Sequence, residues 1–279
     1  MEINSPTGDS AKSRIAEQEA VWPAAVGIAL LLTLQFQLVL YRTINWDEFY
    51  FLNQVVEFSR GELTTPLQTI HVRLFAWLTE FDIAGVDQII RGRLVMFAAE
   101  LFTCIWISLI ARRFVSWAQA LLCALAYLSV GYVFQHGFAF RTDPLAISFA
   151  MAALVVLARA RLNWVALIGF GVLLALALMV TIKVVLLAPA FAGLAWLRWA
   201  EDGFSLDRAM RIAAAPIIAL AVAAPLYIWH GLDLAPAQEA GSMLGHSGQA
   251  MFFLGLPENW RFILMAALYG APFLSLIHI

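Results

Sequence analysis

Residues 21–50, VWPAAVGIALLLTLQFQLVLYRTINWDEFY, decide the fold. The run from Val21 to Tyr41 carries no charge. At roughly 1.5 Å of rise per residue it is long enough for a helix to cross a hydrocarbon core of about 30 Å. Asp47 and Glu48, side by side just past its end, then stand above the bilayer surface. A cleaved signal peptide has an apolar core of about 7–15 residues and a small-residue cleavage site. Here the run is longer and ends with Gln35, Gln37, Tyr41 and Arg42, so the helix is expected to be retained. The polar, mixed-charge residues 1–20 before it are expected to form a flexible cytoplasmic tail.

The rest of the chain repeats the theme. It is 62% hydrophobic and only 13% charged over 279 residues, with a mean hydropathy of +0.82. A soluble domain has about 25% charged residues, so the composition describes a multi-pass membrane protein. A net charge of −2 gives no argument for a nucleic-acid partner. Cys104 and Cys123 both lie in apolar runs and lack metal-ligand spacing. Apolar runs recur at 21–41, 94–111, 117–134, 145–157, 164–181, 184–197, 212–229 and 262–279. The expected fold is therefore all-α and polytopic, with about eight transmembrane helices. Short connections holding Arg112 and Arg113, then Arg159 and Arg161, then Arg198, Arg208 and Arg211 mark the cytoplasmic side. Parity decides the stretch 164–197, which only Lys183 interrupts. A single crossing would put two arginine-bearing connections on opposite faces. Two short crossings with Lys183 at an outer turn agree with the charge bias and keep a cation out of the bilayer centre.

The first outer connection, 42–93, contains structure of its own. Asn45 followed at the third position by Glu48 reads as a capping box, and Gly61 reads as a helix stop. Between them Phe49, Leu52, Val55, Val56 and Ser59 form one face and Asn53, Gln54, Glu57 and Arg60 another, as in a helix lying along the interface. A second, shorter helix is expected over 71–81, with Leu74, Phe75 and Leu78 inward. The last outer connection, 230–260, is rich in Gly, Ala and Pro and reads as a loop. The transmembrane domain is taken as 21–279 and as C-terminally truncated, because the last run ends at Ile279 without a polar flank.

This topology sends Asp47, Glu48, Arg141, Asp143 and Lys183, from three separate connections, to one outer face. Group transfer needs such a mixture: a carboxylate to take a proton from an attacking hydroxyl, and cations to stabilise an anionic leaving group. Each residue also has a plainer reading. Asp47 can start the interfacial helix through the helix dipole, Arg141 and Asp143 can be a local ion pair, and Lys183 can snorkel to the interface. His71, His136, His230 and His246 share the outer face, but their spacing matches no ligand motif. No cofactor is expected, and a divalent metal has no support from spacing.

In order and placement these pieces resemble the GT-C membrane glycosyltransferases, particularly the protein mannosyltransferase and aminoarabinose transferase branch, glycosyltransferase family 39. The matching pieces are Asp47-Glu48 after the first helix, Arg93-Leu94 opening the second, and Ala111-Arg112-Arg113 closing it. Arg141-x-Asp143 after the third and Lys183 in a short turn before Leu186, Leu187 and Pro189 complete the set. The resemblance spans about residues 21–197. It implies transfer of a sugar from a polyprenyl-phosphate donor to a hydroxyl of a lipid, glycan or protein acceptor, with inversion, on the non-cytoplasmic face of the cell (inner) membrane. By the same resemblance Asp47 is the catalytic base, Glu48 positions the acceptor, and Asp143 is a second acid. Arg141 and Lys183 hold the donor phosphate. His71 joins the substrate-binding candidates, although Thr69-Ile70-His71-Val72-Arg73 stands where the family has a His-Pro-Pro type element. A lipid or small-molecule transporter, with ionisable groups near mid-membrane and internal repeats, and a non-catalytic membrane subunit are the alternative readings.

Overall fold

The computed structural model describes residues 7–63, 67 and 69–234, with side chains from Val21 onward. The described residues are helical and contain no strand. The elements are α1 (Thr7–Tyr41), α2 (Trp46–Arg60), α3 (His71–Leu74), α4 (Gly85–Ala111) and α5 (Trp117–Ser129). There follow α6 (Gly131–His136), α7 (Thr142–Arg159), α8 (Trp164–Val180), α9 (Ala188–Glu201) and α10 (Leu206–Leu234). The first helix begins at Thr7, inside the segment expected to be a tail.

Among the described residues five helical stretches are long and apolar enough to cross a membrane: Val21–Tyr41, Gly85–Ala111, Thr142–Arg159, Ile182–Glu201 and Leu206–Leu234. The apolar helices Trp117–Ser129 and Trp164–Val180 are shorter. This is the polytopic all-α architecture the composition calls for. The eighth expected run, 262–279, and nearly all of the last expected loop lie outside the described residues.

The links between helices sort into two ends. At one, Arg113 donates to the Ala158 carbonyl and pairs with Glu201, and Arg159 donates to the Leu109 carbonyl at 2.9 Å. Arg198 donates to the carbonyls of Ala158 and Ala160 at 3.2 and 2.8 Å. The last carbonyls of a helix have no partner within it, and these arginines supply one. The same contacts locate a reversal of the chain. The end of α9 returns to the end where α8 starts, so the chain reverses between them. That reversal is built by Thr181, whose extended backbone (φ −157°, ψ 135°) stops α8, and by the 3-10 turn Ile182–Leu187 that carries Lys183.

At the opposite end the connection 42–93 folds down onto the bundle. Asn45 caps α2 and the Glu48 side chain accepts from the Asn45 amide at 3.0 Å, completing the capping box. Gly61 ends the helix at φ 70°, a left-handed conformation that favours glycine. Leu52 and Val55 face inward as the periodicity requires, but Gln54, expected on the polar face, is buried and Phe49 is exposed. The second interfacial helix is not continuous. It breaks at Phe75 into α3 and the 3-10 turn Ala76–Glu80. In a 3-10 segment residues three apart eclipse one another, and this sets Phe75 and Leu78 together in the core, while Leu74 is left exposed.

Leu52, Val55, Val72, Phe75, Leu78, Ile89, Met96 and Phe140 form one buried cluster, so the interfacial segment, α4 and the turn before α7 share a core. Gly92 permits this: a Cβ there would overlap the Phe140 ring. The segment is also tied to α8. Ile70 donates its amide to the Met179 carbonyl at 2.9 Å, and Thr69 donates its hydroxyl to the Val180 carbonyl at 2.7 Å.

Candidate active site

The interlocked connections bring four of the candidate side chains into one row. Asp47 Oδ2 lies 3.0 Å from Arg141 Nη1, and Arg141 Nη2 lies 3.6 Å from Asp143 Oδ2. Asp143 Oδ1 accepts from Lys183 Nζ at 3.1 Å. Asp47 sits in the first turn of α2 and Asp143 in the first turn of α7, where a carboxylate is favoured by the helix dipole. Arg141 is held in extended backbone immediately before α7. The side chains run from 19% exposed at Arg141 through 25% at Asp143 and 37% at Asp47 to 56% at Lys183. The row is thus partly exposed and sets two carboxylates against two cations.

Glu48 has a different setting. Its side chain is only 2% exposed and faces a guanidinium, that of Arg93, which is 1% exposed. Arg93 donates through Nε to Oε1 at 2.8 Å and through Nη2 to Oε2 at 2.7 Å, the two-pronged geometry that makes such pairs strong. The remaining donors of Arg93 reach the carbonyls of Val39, Arg42 and Thr43 at 3.2, 3.0 and 3.3 Å, which close the end of α1. Glu48 Oε1 also accepts the Phe140 amide at 2.9 Å. Burial alone would raise this carboxyl, but Arg93 and the amides of Asn45 and Phe140 hold it below the ordinary carboxylate range. A carboxylate so buried and so fully paired has no free oxygen facing the row. Glu48 instead fixes Asp47, its neighbour in sequence, relative to Arg141, the neighbour of Phe140.

His71 is not at the surface. It is fully buried, its ring 5.2, 4.7 and 4.9 Å from those of Phe51, Phe75 and Phe140, and neither ring nitrogen has a hydrogen-bond partner among the described residues. Burial pushes its imidazole down to about 3, so it is neutral at physiological pH and supports the Arg141 turn from below. His136, considered from the sequence only as a metal ligand, lies instead in the field of the row. Burial and then Arg42 and Arg141 lower its imidazole, against Glu48 and Asp47. The Tyr132 ring packs on it at 4.9 Å. No sequence signal marks His136 as part of this neighbourhood. For Arg93 the signal was its place next to Leu94, where the second membrane helix was expected to open; the helix begins instead at Gly85, and that signal says nothing of its partners.

The fold is thus an all-α bundle of the polytopic membrane kind, with acids and cations gathered from separate connections at one end. The model of the dolichyl-phosphate-mannose-protein mannosyltransferase family matches residues 70–229, more than half of the chain, and the chain belongs to that family. The matched region contains Arg93, Arg141, Asp143 and Lys183 and begins after Asp47 and Glu48. No curated protein and no solved structure matches the chain.

Proposed function

We propose that this protein transfers a sugar from a polyprenyl-phosphate donor to an acceptor hydroxyl, with inversion, at the end of the bundle that carries the Asp47–Arg141–Asp143–Lys183 row. The row is the observation that supports this reading most. Its members come from three connections far apart in sequence and meet within 3.0 to 3.6 Å. In the reaction the acceptor oxygen attacks the anomeric carbon from the face opposite the phosphate. The bond from that carbon to the phosphate oxygen breaks, its electron pair stays with the phosphate, and Asp47 takes the acceptor proton. Arg141 and Lys183 meet the phosphate, which competes with the two carboxylates for their donors and so loosens Asp47 from Arg141. Asp143 holds the two cations apart and aimed, while Glu48 acts through the backbone it fixes.

Positive residues favour the cytoplasmic side, so the arginine-rich end is assigned there and the site to the non-cytoplasmic face, within reach of a lipid, glycan or protein acceptor. Trp46 and Tyr50, stacked at 6.4 Å and exposed on either side of Asp47 in sequence, suit the membrane–water boundary.

The decisive experiment incubates the membrane-reconstituted protein with a panel of polyprenyl-phosphate sugars and follows consumption by mass spectrometry. Turnover of one donor is expected, and Asp47→Asn is expected to lower it by about 10²–10⁴-fold, the range for removal of a positioned general base, with the protein still folded and inserted. Full turnover by the Asn variant would remove the base from the mechanism.

A further inference from the structure

Deeper in the bundle lies a second polar group that the row does not use. Glu100 is on α4, seven residues past Arg93, which is about 10 Å further along the helix at roughly 1.5 Å per residue. It is 1% exposed and Gln35 of α1 is 0% exposed. Gln35 Nε2 donates to Glu100 Oε1 at 3.0 Å and to the carbonyls of Val133 and Phe134 at 3.2 Å each. Those two carbonyls belong to the last turn of α6, a six-residue helix set off from α5 by the extended residue Val130. Glu100 also touches the residue that follows α6: a Cβ on Gly137 would overlap its carboxyl group. Gly137 leads through the buried residues Phe138, Ala139 and Phe140 to Arg141.

Two buried oxygens here have no hydrogen-bond partner among the described residues, Gln35 Oε1 and Glu100 Oε2. Buried polar atoms without partners are rare in native proteins and call for an explanation. They belong to the two planar groups already joined by the contact from Nε2 to Oε1. A proton on Glu100 Oε2 lets it donate to Gln35 Oε1 and satisfies both atoms at once. An ionised Glu100 leaves both oxygens without donors among the described residues, in a place where an unpaired charge is costly; the other titratable groups in its field, Cys104 of α4 and Tyr127 of α5, are neutral acids and bring no compensating cation.

We infer that Glu100 keeps its proton and joins Gln35 in a two-point acid–amide clamp, and that this neutral clamp positions the Arg141 turn by holding the end of α6 against α1 and α4. Glu100 is then a positioning residue for the transfer reaction. The kinetic part of this inference rests on the function proposed above; the protonation part does not.

The test uses the full chain in lipid nanodiscs. The infrared spectrum of the parent protein at alkaline pH is expected to show the carbonyl band of an un-ionised carboxylic acid, absent from Glu100→Gln. In the transfer assay Glu100→Gln, whose amide can replace the acid O–H as donor, is expected to keep kcat and donor KM within about threefold of the parent. Glu100→Leu and Gly137→Ala, which break or displace the clamp, are expected to raise donor KM by about tenfold with a smaller change in kcat. A parent spectrum without the band overturns the clamp, as does a Glu100→Gln protein as impaired as Glu100→Leu. Should Glu100→Leu fail to fold, the band and the Gln variant still decide. If no donor is turned over by the parent, the proposed function fails while the spectrum continues to judge the clamp.

Discussion

At the arginine-rich end of the bundle, guanidinium groups reach main-chain carbonyls: Arg113, Arg159 and Arg198 close the ends of α4 and α7. At the opposite end, Arg141 and Lys183 face the carboxylates of Asp47 and Asp143. A carbonyl at a helix end has no partner within its helix, so the first arrangement completes the ends of the bundle and is structural. A carboxylate in a half-exposed row can be rehydrated or replaced by a phosphate oxygen, so the second can trade partners. The difference is between cations whose partners are fixed main-chain atoms and cations whose partners can be exchanged. Arg93 shows that location alone does not draw the line. It sits at the site end yet acts like the opposite end's arginines, with three carbonyls and one buried carboxylate as partners.

The sharpest way to break this contrast is at Arg93. Arg93→Ala leaves Glu48 buried without its cation and is expected to cost about 3–5 kcal/mol of stability, read as a drop in the thermal or denaturant midpoint in detergent. A small loss there would mean the pair is more hydrated than its burial indicates. The same pair sets an acid limit. The Glu48 carboxyl is held below its ordinary value of 4.5, so its contribution is complete above that value and is lost as pH falls through the lower, folded one. The parent midpoint is expected to fall in that acid window, and that of Glu48→Gln, already low, to change less.

A smaller effect is expected from Arg198→Ala at the other end, about 1–2 kcal/mol for donors lost from two carbonyls, with turnover per folded molecule unchanged; an altered kcat would blur the division between the two ends. Lys183→Ala should do the reverse. It is expected to raise the apparent donor Kd about tenfold, close to 1.4 kcal/mol, with little change in the unfolding midpoint, since its ammonium is more than half exposed. Unchanged donor affinity would take Lys183 out of the ligand's reach.

Much of this was legible before any coordinates, because it is encoded in local signals. The capping box at Asn45 and Glu48, the stop at Gly61 and the reversal around Lys183 each rest on a few neighbouring residues or on the parity of basic links. The gathering of Asp47, Arg141, Asp143 and Lys183 followed from that parity and not from any single motif. What could not be read were contacts whose partners carry no side-chain signature. Arg93 finds carbonyls about fifty positions earlier in the chain, the Phe140 amide finds Glu48, and Ile70 finds Met179. His71 entered the candidates only through the family resemblance, at the place of the His-Pro-Pro type element, and three aromatic rings enclose it. Gln54 broke the amphipathic pattern for a similar reason: the interfacial helix is covered on more than one side, so periodicity underestimates what it buries.

The close approach of Gly92 to Phe140 has a consequence for how such chains diverge. A methyl group at position 92 has no room while a benzyl group fills position 140, so a lineage that acquires alanine at the first position is expected to have exchanged phenylalanine for a slimmer residue at the second. The two sites should drift as a couple, and an alignment in which they vary independently would show that the turn bearing Arg141 tolerates more play than this packing allows.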